Sequence, residues 1–218
     1  MDFIDTLIAE HDLIERAVGA LRTYTARRIA GTATSLDAPR FFRFLRVFVG
    51  SYHHDREESV LFPALIEQVG VPADRGPIPA LLTQHHELAC WLDELEALLG
   101  SADIEPAQHA AIEALSMRYA HRLWRHIDAE NSVLFPESAT RLARAGIFEL
   151  TSRQPTEEEI SAADDAERLV RAYPPEYDPS AMRGEGCIFC PSYGSTCEGV
   201  ERTWWNESEW EQLAGHLE

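Results

Sequence analysis

Two eleven-residue segments of the chain carry the same pattern of potential metal-ligating residues. Residues 53–63 read HHDREESVLFP and residues 126–136 read HIDAENSVLFP, so each contains H-x-x-x-E and then, after one further residue, S-V-L-F-P. The two segments lie 73 positions apart. Side chains four residues apart on a helix share one face, separated by one turn. Each segment therefore offers an imidazole and a carboxylate side by side, a combination that transition metals bind.

Helical periodicity predicts which other histidines face the same interior. His85 lies in an apolar stripe that continues through Leu88 and Leu92, whereas the adjacent His86 points away from that stripe. The residues that follow His11 repeat this pattern, 74 positions earlier in the chain. We therefore expect His11 and His85 to face the interior.

The two H-x-x-x-E pairs are assigned by different arguments. His126 and Glu130 fall within the apolar face of the last long helical pattern. The first segment is apolar on all sides, so periodicity does not choose between its two histidines. Alignment of the segments on their shared LFP selects His53 and Glu57, and His54 then falls off the central line of the face.

The resulting set contains four imidazoles and two carboxylates directed at one interior. Burying them without partners would cost free energy. A hydrogen-bonded polar core is one interpretation, but the duplicated spacing favours a pair of metal ions, each held by two histidines and bridged by both glutamates. An open position would then accept dioxygen, peroxide or nitric oxide. The predicted ligands are His11, His53, Glu57, His85, His126 and Glu130.

Four long helical patterns must position these residues. Their approximate bounds are residues 2–30, 39–68, 80–99 and 106–145. Two long helical hairpins joined by a Gly/Pro-rich connector predict an all-α fold, an antiparallel up-down four-helix bundle. We assign residues 1–147 to this bundle. Residues 148–218 are predicted to form a short, partly helical C-terminal extension, either a separate element or a wrap around the bundle.

The bundle region resembles the hemerythrin-like (HHE cation-binding) family over about residues 3–145. The resemblance rests on EHDLI at 10–14, HHDREESVLFPAL at 53–65, the HH pair at 85–86 and HIDAENSVLFPES at 126–138. It implies a hemerythrin-like bundle with a non-haem di-iron site at the six residues named above. Manganese is the alternative metal, because imidazole and carboxylate ligands suit both ions.

One position departs from the oxygen-carrying members of that family. They have a second histidine one turn after the ligand on the third helix, whereas Ala89 occupies this position here, four residues after His85. The set of four histidines and two glutamates is more similar to the di-iron proteins that respond to nitric oxide and repair damaged iron–sulfur clusters. The resemblance therefore favours a stress-response oxidoreductase over a reversible oxygen carrier.

Three of the four cysteines lie near the end of the chain. Cys187, Cys190 and Cys197 form C-x2-C-x6-C, outside the region of family resemblance. A structural zinc site has four ligands, and His216 is a candidate for the fourth. The other interpretations are an iron–sulfur cluster with an open corner, a thiol–disulfide pair, or no special role.

Charge and hydropathy exclude several classes of partner. The 218 residues carry a formal charge of −18, without the basic stripe that nucleic-acid binding requires. No apolar run approaches the ~18 residues of a membrane span, and the first residues do not resemble a signal peptide. We predict a cytoplasmic protein with no nucleic-acid or membrane partner, whose ligand is a diatomic molecule or peroxide and whose redox partner the sequence does not identify.

Two other functions remain open from the sequence. One is an iron- or oxygen-sensing binding module without turnover, in which the C-terminal extension recruits a partner. The other is a di-iron oxygenase that acts on an organic substrate. The latter requires a pocket beside the metal ions, which no sequence pattern can reveal.

Overall fold

The structure of the chain, a computed structural model, describes residues 1–178, and within them it is all-helical, with no strand. Four long helices form the bundle and a fifth lies against it. Their bounds are α1 (Asp2–Ile29), α2 (38–69), α3 (Pro77–Leu99), α4 (109–144) and α5 (Glu157–Ala172). The predicted all-α four-helix bundle is confirmed. None of these helices is both long and apolar enough to cross a membrane.

Helices α2 and α4 are continuous, but their hydrogen-bond pattern changes along their length. The segments of α2 are α-helix at Ala38–Arg43, π-helix at Phe44–His54 and at Glu57–Leu61, and α-helix at Phe62–Val69. The segments of α4 are α-helix at His109–Ala129, π-helix at Glu130–Leu134 and α-helix at Phe135–Arg144. Both repeated sequence segments therefore contain a π-helical turn.

Each of these short π-helical turns begins at the glutamate of its H-x-x-x-E pair. The N–H of Phe62 donates to the carbonyl of Glu57, and the N–H of Phe135 donates to the carbonyl of Glu130, five residues back in both cases. The next residue is a proline, which has no N–H and whose ring clashes with the carbonyl four residues before it. The shared E-x-S-V-L-F-P thus encodes a widened turn, a feature common at functional sites.

The third helix begins earlier than its apolar pattern predicts. It starts at Pro77 rather than near residue 80, because Gly76 turns the chain with a φ of 78° and proline suits the first helical position. The fourth helix begins at His109 and is preceded by a single 3₁₀ turn, Pro106–Gln108. These shifts leave the predicted interior positions unchanged.

The apolar core consists of two clusters separated by a layer of polar side chains. Along α1 the boundary falls between Leu7 and Ile14, and along α3 it falls between Leu81 and Leu88. The predicted ligands lie in this boundary layer, with apolar side chains on both sides. The layer is therefore shielded from water along the bundle axis.

The described part of the C-terminal extension packs onto the bundle. Helix α5 begins with a capping box, in which the side chains of Thr156 and Glu159 bond to each other's backbone N–H. The chain then crosses α1 at Gly19, where an added Cβ would lie only 2.9 Å from the carbonyl oxygen of Glu176. The rest of the predicted extension, with its three clustered cysteines, lies outside the described residues.

Candidate metal centre

The six predicted ligands meet in the polar layer of the bundle. Helices α1 and α3 contribute one histidine each, and α2 and α4 each contribute a histidine and a glutamate. All six side chains are buried, with exposed fractions of 1% for His11, 1% for His53, 0% for Glu57, 6% for His85, 1% for His126 and 0% for Glu130. The six side chains are therefore largely shielded from bulk water.

In each of the four histidines, the outer ring nitrogen, Nδ1, forms a hydrogen bond with a side-chain oxygen of another residue. The Nδ1–oxygen distances are 2.8 Å for His11 to Asn131, 2.8 Å for His53 to Glu10, 2.6 Å for His85 to Glu58 and 3.0 Å for His126 to Gln84. Because these oxygens accept the hydrogen of Nδ1, the inner nitrogen Nε2 of each neutral ring carries a lone pair. All four rings are thus oriented as metal ligands.

The inner nitrogens face each other in two pairs. Nε2 of His11 lies 2.9 Å from Nε2 of His53, and Nε2 of His85 lies 3.1 Å from Nε2 of His126. Two lone pairs cannot form a hydrogen bond, so each pair needs a cation between its nitrogens. A metal ion that both nitrogens of a pair could bind would be such a cation.

Each glutamate has one carboxylate oxygen near the His11–His53 pair and the other near the His85–His126 pair. The Nε2–oxygen distances are 3.4 Å for His53 to Glu57 Oε1, 3.5 Å for His85 to Glu57 Oε2, 3.4 Å for His11 to Glu130 Oε2 and 3.3 Å for His126 to Glu130 Oε1. None of these four buried oxygens accepts a hydrogen bond from residues 1–178. Unpartnered buried carboxylates are costly, so the donor set fits a pair of bridged cations.

Burial shifts the pKa values of these groups toward their uncharged forms. It raises the pKa of Glu57 well above its usual value, with a further contribution from the nearby Glu130, whose own pKa is also raised by burial. Burial lowers the pKa of His53 and His126 well below the usual range. These two imidazoles are therefore neutral at neutral pH and ready to bind a metal, whereas the two carboxylates need a cation to stay ionised together.

A family model described as the hemerythrin HHE cation binding domain matches residues 2–138. The chain belongs to this family. The matched region contains the four bundle helices almost entirely and all six residues of the centre, which agrees with the predicted resemblance. Comparison with curated proteins gave no match, and comparison with solved structures gave none either.

This hemerythrin-family chain brings a seventh side chain to its centre, which the sequence reasoning missed. His54 is 8% exposed, and its ring stacks on that of His85 with centroids 3.8 Å apart. Two groups of potential ligand atoms each fall within 4.8 Å: one comprises His11, His53, Glu57 and Glu130, and the other comprises His54, Glu57, His85 and His126. The widened π-helical turns of α2 explain why two consecutive histidines both face inward.

The sequence reasoning also missed the two carboxylates, Glu10 and Glu58, that accept hydrogen bonds from the Nδ1 atoms of His53 and His85. Glu10 bonds to the buried guanidinium of Arg56, which donates to the Tyr52 hydroxyl over 3.1 Å. Burial outweighs the effect of Arg56 and raises the pKa of Glu10 to about 7. Both Glu10 and Glu58 lie within the segments that carry the hemerythrin resemblance, so the signal was present in the sequence next to the ligands themselves.

Proposed function

We propose that this chain is a non-haem di-iron protein that binds or reacts with dioxygen, peroxide or nitric oxide. The observation that carries the proposal is the convergence of four Nε2 lone pairs on four unpartnered carboxylate oxygens in a buried layer. Imidazole and carboxylate ligands suit iron and manganese, and the family match supports cation binding.

In this proposal each of two ions has its own pair of histidines, and both ions share the two glutamates. His11 and His53 would hold one ion, and His85 and His126 would hold the other. Glu57 and Glu130 would be ligands that the two ions share. When bound, the ions would supply an open coordination position and redox chemistry for a small ligand.

Residues around the ligands keep the rings in place and control access of water. The ring of Phe135 stacks on His11 with centroids 5.5 Å apart, which closes that side of the centre. On the other side, the proton on Nδ1 of His85 is held by Glu58, whose side chain is 41% exposed. Glu58 thereby connects one ligand ring to the solvent, whereas the partner of His53, Glu10, is mostly buried.

The first test is elemental analysis of the purified full-length protein and two double variants. The first variant combines His126→Ala with Glu130→Ala and removes ligands. The control combines His109→Ala with Glu113→Ala, an H-x-x-x-E pair on the same helix that lies outside the centre. We expect about two irons per chain in the wild type and the control, and loss of iron in the first variant.

The other outcomes separate the remaining interpretations. Absence of bundle metal in protein expressed with ample iron would contradict the proposal and leave a polar core. About one zinc per chain that survives in the first variant would indicate a separate site among the cysteines. Consumption of peroxide by the iron-loaded protein would favour a reactive centre. Metal-dependent protection of the extension from protease, without turnover, would favour a sensor.

A further inference from the structure

A cavity of about 330 Å³ lies beside the centre, between helices α2, α3 and α4. His54 and His85 line its inner end. Its lining also includes Gly50, Ser51 and Ala89, which are exposed at the surface of the bundle. The cavity therefore runs from the surface to one histidine pair of the centre.

The walls of the cavity are mainly apolar. They include Leu45, Val49, Leu88, Leu92 and Tyr119. The charged residue that lines it is Arg46, and its guanidinium is already paired, at 2.6 Å from Asp93 and 2.5 Å from Glu96. A charged occupant would lose its hydration without gaining a free counter-charge, so the lining suits an uncharged molecule.

The two halves of the repeat differ at this place. A shift of 73 positions relates Gly50 to Leu123 and Ser51 to Trp124. In the second half, Trp124 is fully buried and its Nε1–H donates to the carbonyl of Glu15 over 3.5 Å. Ala89 corresponds to Glu15 by the shift of 74 positions. Small residues thus leave a space in one half that a tryptophan occupies in the other.

His54 brings an imidazole to the inner end of the cavity. The residue is 8% exposed and its ring contacts the rings of His53, His85 and His126, but its nitrogens are not among the fully buried atoms that lack a partner, so they face the cavity. Its counterpart in the other half of the repeat is Ile127, which needs no partner. An imidazole can both donate and accept a hydrogen bond, so an occupant with a hydroxyl-type group can bond to it.

The size of the cavity exceeds the needs of a diatomic ligand. A water molecule takes about 30 Å³ of liquid volume, so the space equals roughly ten waters. It falls at the lower end of the roughly 300–1,000 Å³ found for pockets of organic ligands.

We propose that the cavity binds a small uncharged organic molecule with an apolar body and one hydroxyl-type group, which bonds to His54 beside the His85–His126 pair. The adjacency of this molecule to a metal ion rests on the proposed function, whereas its binding rests on the cavity alone. This inference adds a substrate class to the centre.

The test uses fluorinated probes and full-length protein, with dissociation constants measured by ¹⁹F NMR. The main probe is 4-fluorobenzyl alcohol, compared with 4-fluorobenzoate as the charged analogue. Ala89→Leu extends a side chain into the cavity, and Ala97→Leu makes the same change at an exposed position of the same helix. We expect wild type and Ala97→Leu to bind the alcohol alike, Ala89→Leu to bind it about tenfold more weakly, and wild type to bind the benzoate about tenfold more weakly.

The role of His54 is tested with a probe that lacks the hydroxyl group. His54→Phe keeps a ring that can stack on His85 but removes both nitrogens. We expect it to weaken binding of 4-fluorobenzyl alcohol about fivefold and to leave binding of 4-fluorotoluene unchanged. If His54→Phe weakened binding of both probes equally, the proposed hydrogen bond to His54 would be overturned.

Two further outcomes separate this proposal from the proposed function. Elemental analysis is made on the same samples. No probe binding, or equal binding by Ala89→Leu and Ala97→Leu, would overturn the cavity proposal even in a protein that holds two irons. Probe binding that is sensitive to Ala89→Leu in a protein without iron would support the cavity and overturn the di-iron centre.

Discussion

At the scale of single residues, the oxygens that hold the four imidazoles are not all alike. Each histidine pair has one ring held by a carboxylate and one held by an amide, Glu10 and Asn131 in the first pair and Glu58 and Gln84 in the second. A carboxylate partner increases the basicity of the ligand ring and fixes its tautomer. We therefore expect these partners to contribute to metal affinity although they do not touch the metal.

Glu58 offers the clearest test of this effect, since its side chain is partly exposed and its loss does not open the core. Glu58→Ala removes the partner of His85 Nδ1 and is expected to lower metal affinity about tenfold. Affinity is measured by competition with a chelator. Glu67→Ala, an exposed change on the same helix, serves as the control. An affinity equal to that of wild type would mean that the bond to Glu58 is not needed to orient His85.

At the scale of elements, the π-helical turns decide where the glutamates point. Both short π turns start at the glutamate of an H-x-x-x-E pair and end just before the phenylalanine–proline pair. A proline has no N–H and cannot form the α-helical hydrogen bond to the carbonyl four residues back. One hydrogen bond that would favour a regular α-turn is therefore missing, and the wider π-helical turn forms more easily. We therefore expect the proline to contribute to metal affinity through the backbone.

Pro136→Ala tests this role of the proline. The new N–H of residue 136 can donate to the carbonyl of Ser132, which favours a regular α-turn and rotates Glu130 away from its bridging position. We expect metal affinity about tenfold lower, while the free energy of unfolding of the metal-free protein changes by less than about 1 kcal/mol. The measurements are chelator competition and urea unfolding, with Pro39→Ala at the start of α2 as the control. A variant that binds metal like wild type would show that the turn forms without the proline.

The same turns mark where prediction from the sequence succeeded and where it failed. The internal repeat identified His53 and Glu57 because the alignment is independent of helix geometry. The same alignment placed His54 off the central line, opposite Ile127 of the second segment, and periodicity gave no correction because this stretch is apolar on all sides. In the structure α2 is π-helical from Phe44 to His54, and His54 faces inward. The sequence did not predict the cavity, because its lining comes from three helices that only the packed bundle brings together.

At the scale of the whole molecule, ion pairs join α5 to the bundle. Arg16 of α1 pairs with Glu167 over 2.9 Å, and Arg43 of α2 pairs with Asp165 over 3.1 Å. Before α5 begins, Arg153 bonds both to Glu159 and to the carbonyl of Ser51. The sequence predicted a partly helical extension but left its position open, because exposed charges do not specify which partner they meet.

The pair of Arg153 and Glu159 predicts an acid-sensitive contribution to stability. Hydrogen bonds from Arg153 lower the pKa of Glu159 from 4.5 to about 2. A depressed pKa stabilises the folded state above the unfolded pKa, and the contribution disappears as the pH falls from about 4.5 to about 2. Glu159→Gln keeps the capping box and is expected to lose about 1 kcal/mol of unfolding free energy at pH 7, after allowing for the partial exposure of Arg153.

Urea unfolding at pH 7 and at pH 3 checks this expectation. The difference between wild type and Glu159→Gln should be smaller at pH 3 than at pH 7. Glu157→Gln changes an exposed glutamate in the first turn of the same helix and should show little difference at either pH. A difference that is the same at both pH values would mean that the charge of Glu159 does not stabilise the fold.

The one-sided cavity has a consequence for how two irons in this bundle would share electrons. Their ligand sets would be alike, but the His85 side of the centre borders the cavity, whereas the buried Trp124 stands at the corresponding place in the other half of the repeat. A higher dielectric favours the higher charge. In a mixed-valence pair we therefore expect the extra positive charge to reside on the ion of His85 and His126, so the valences are trapped rather than averaged.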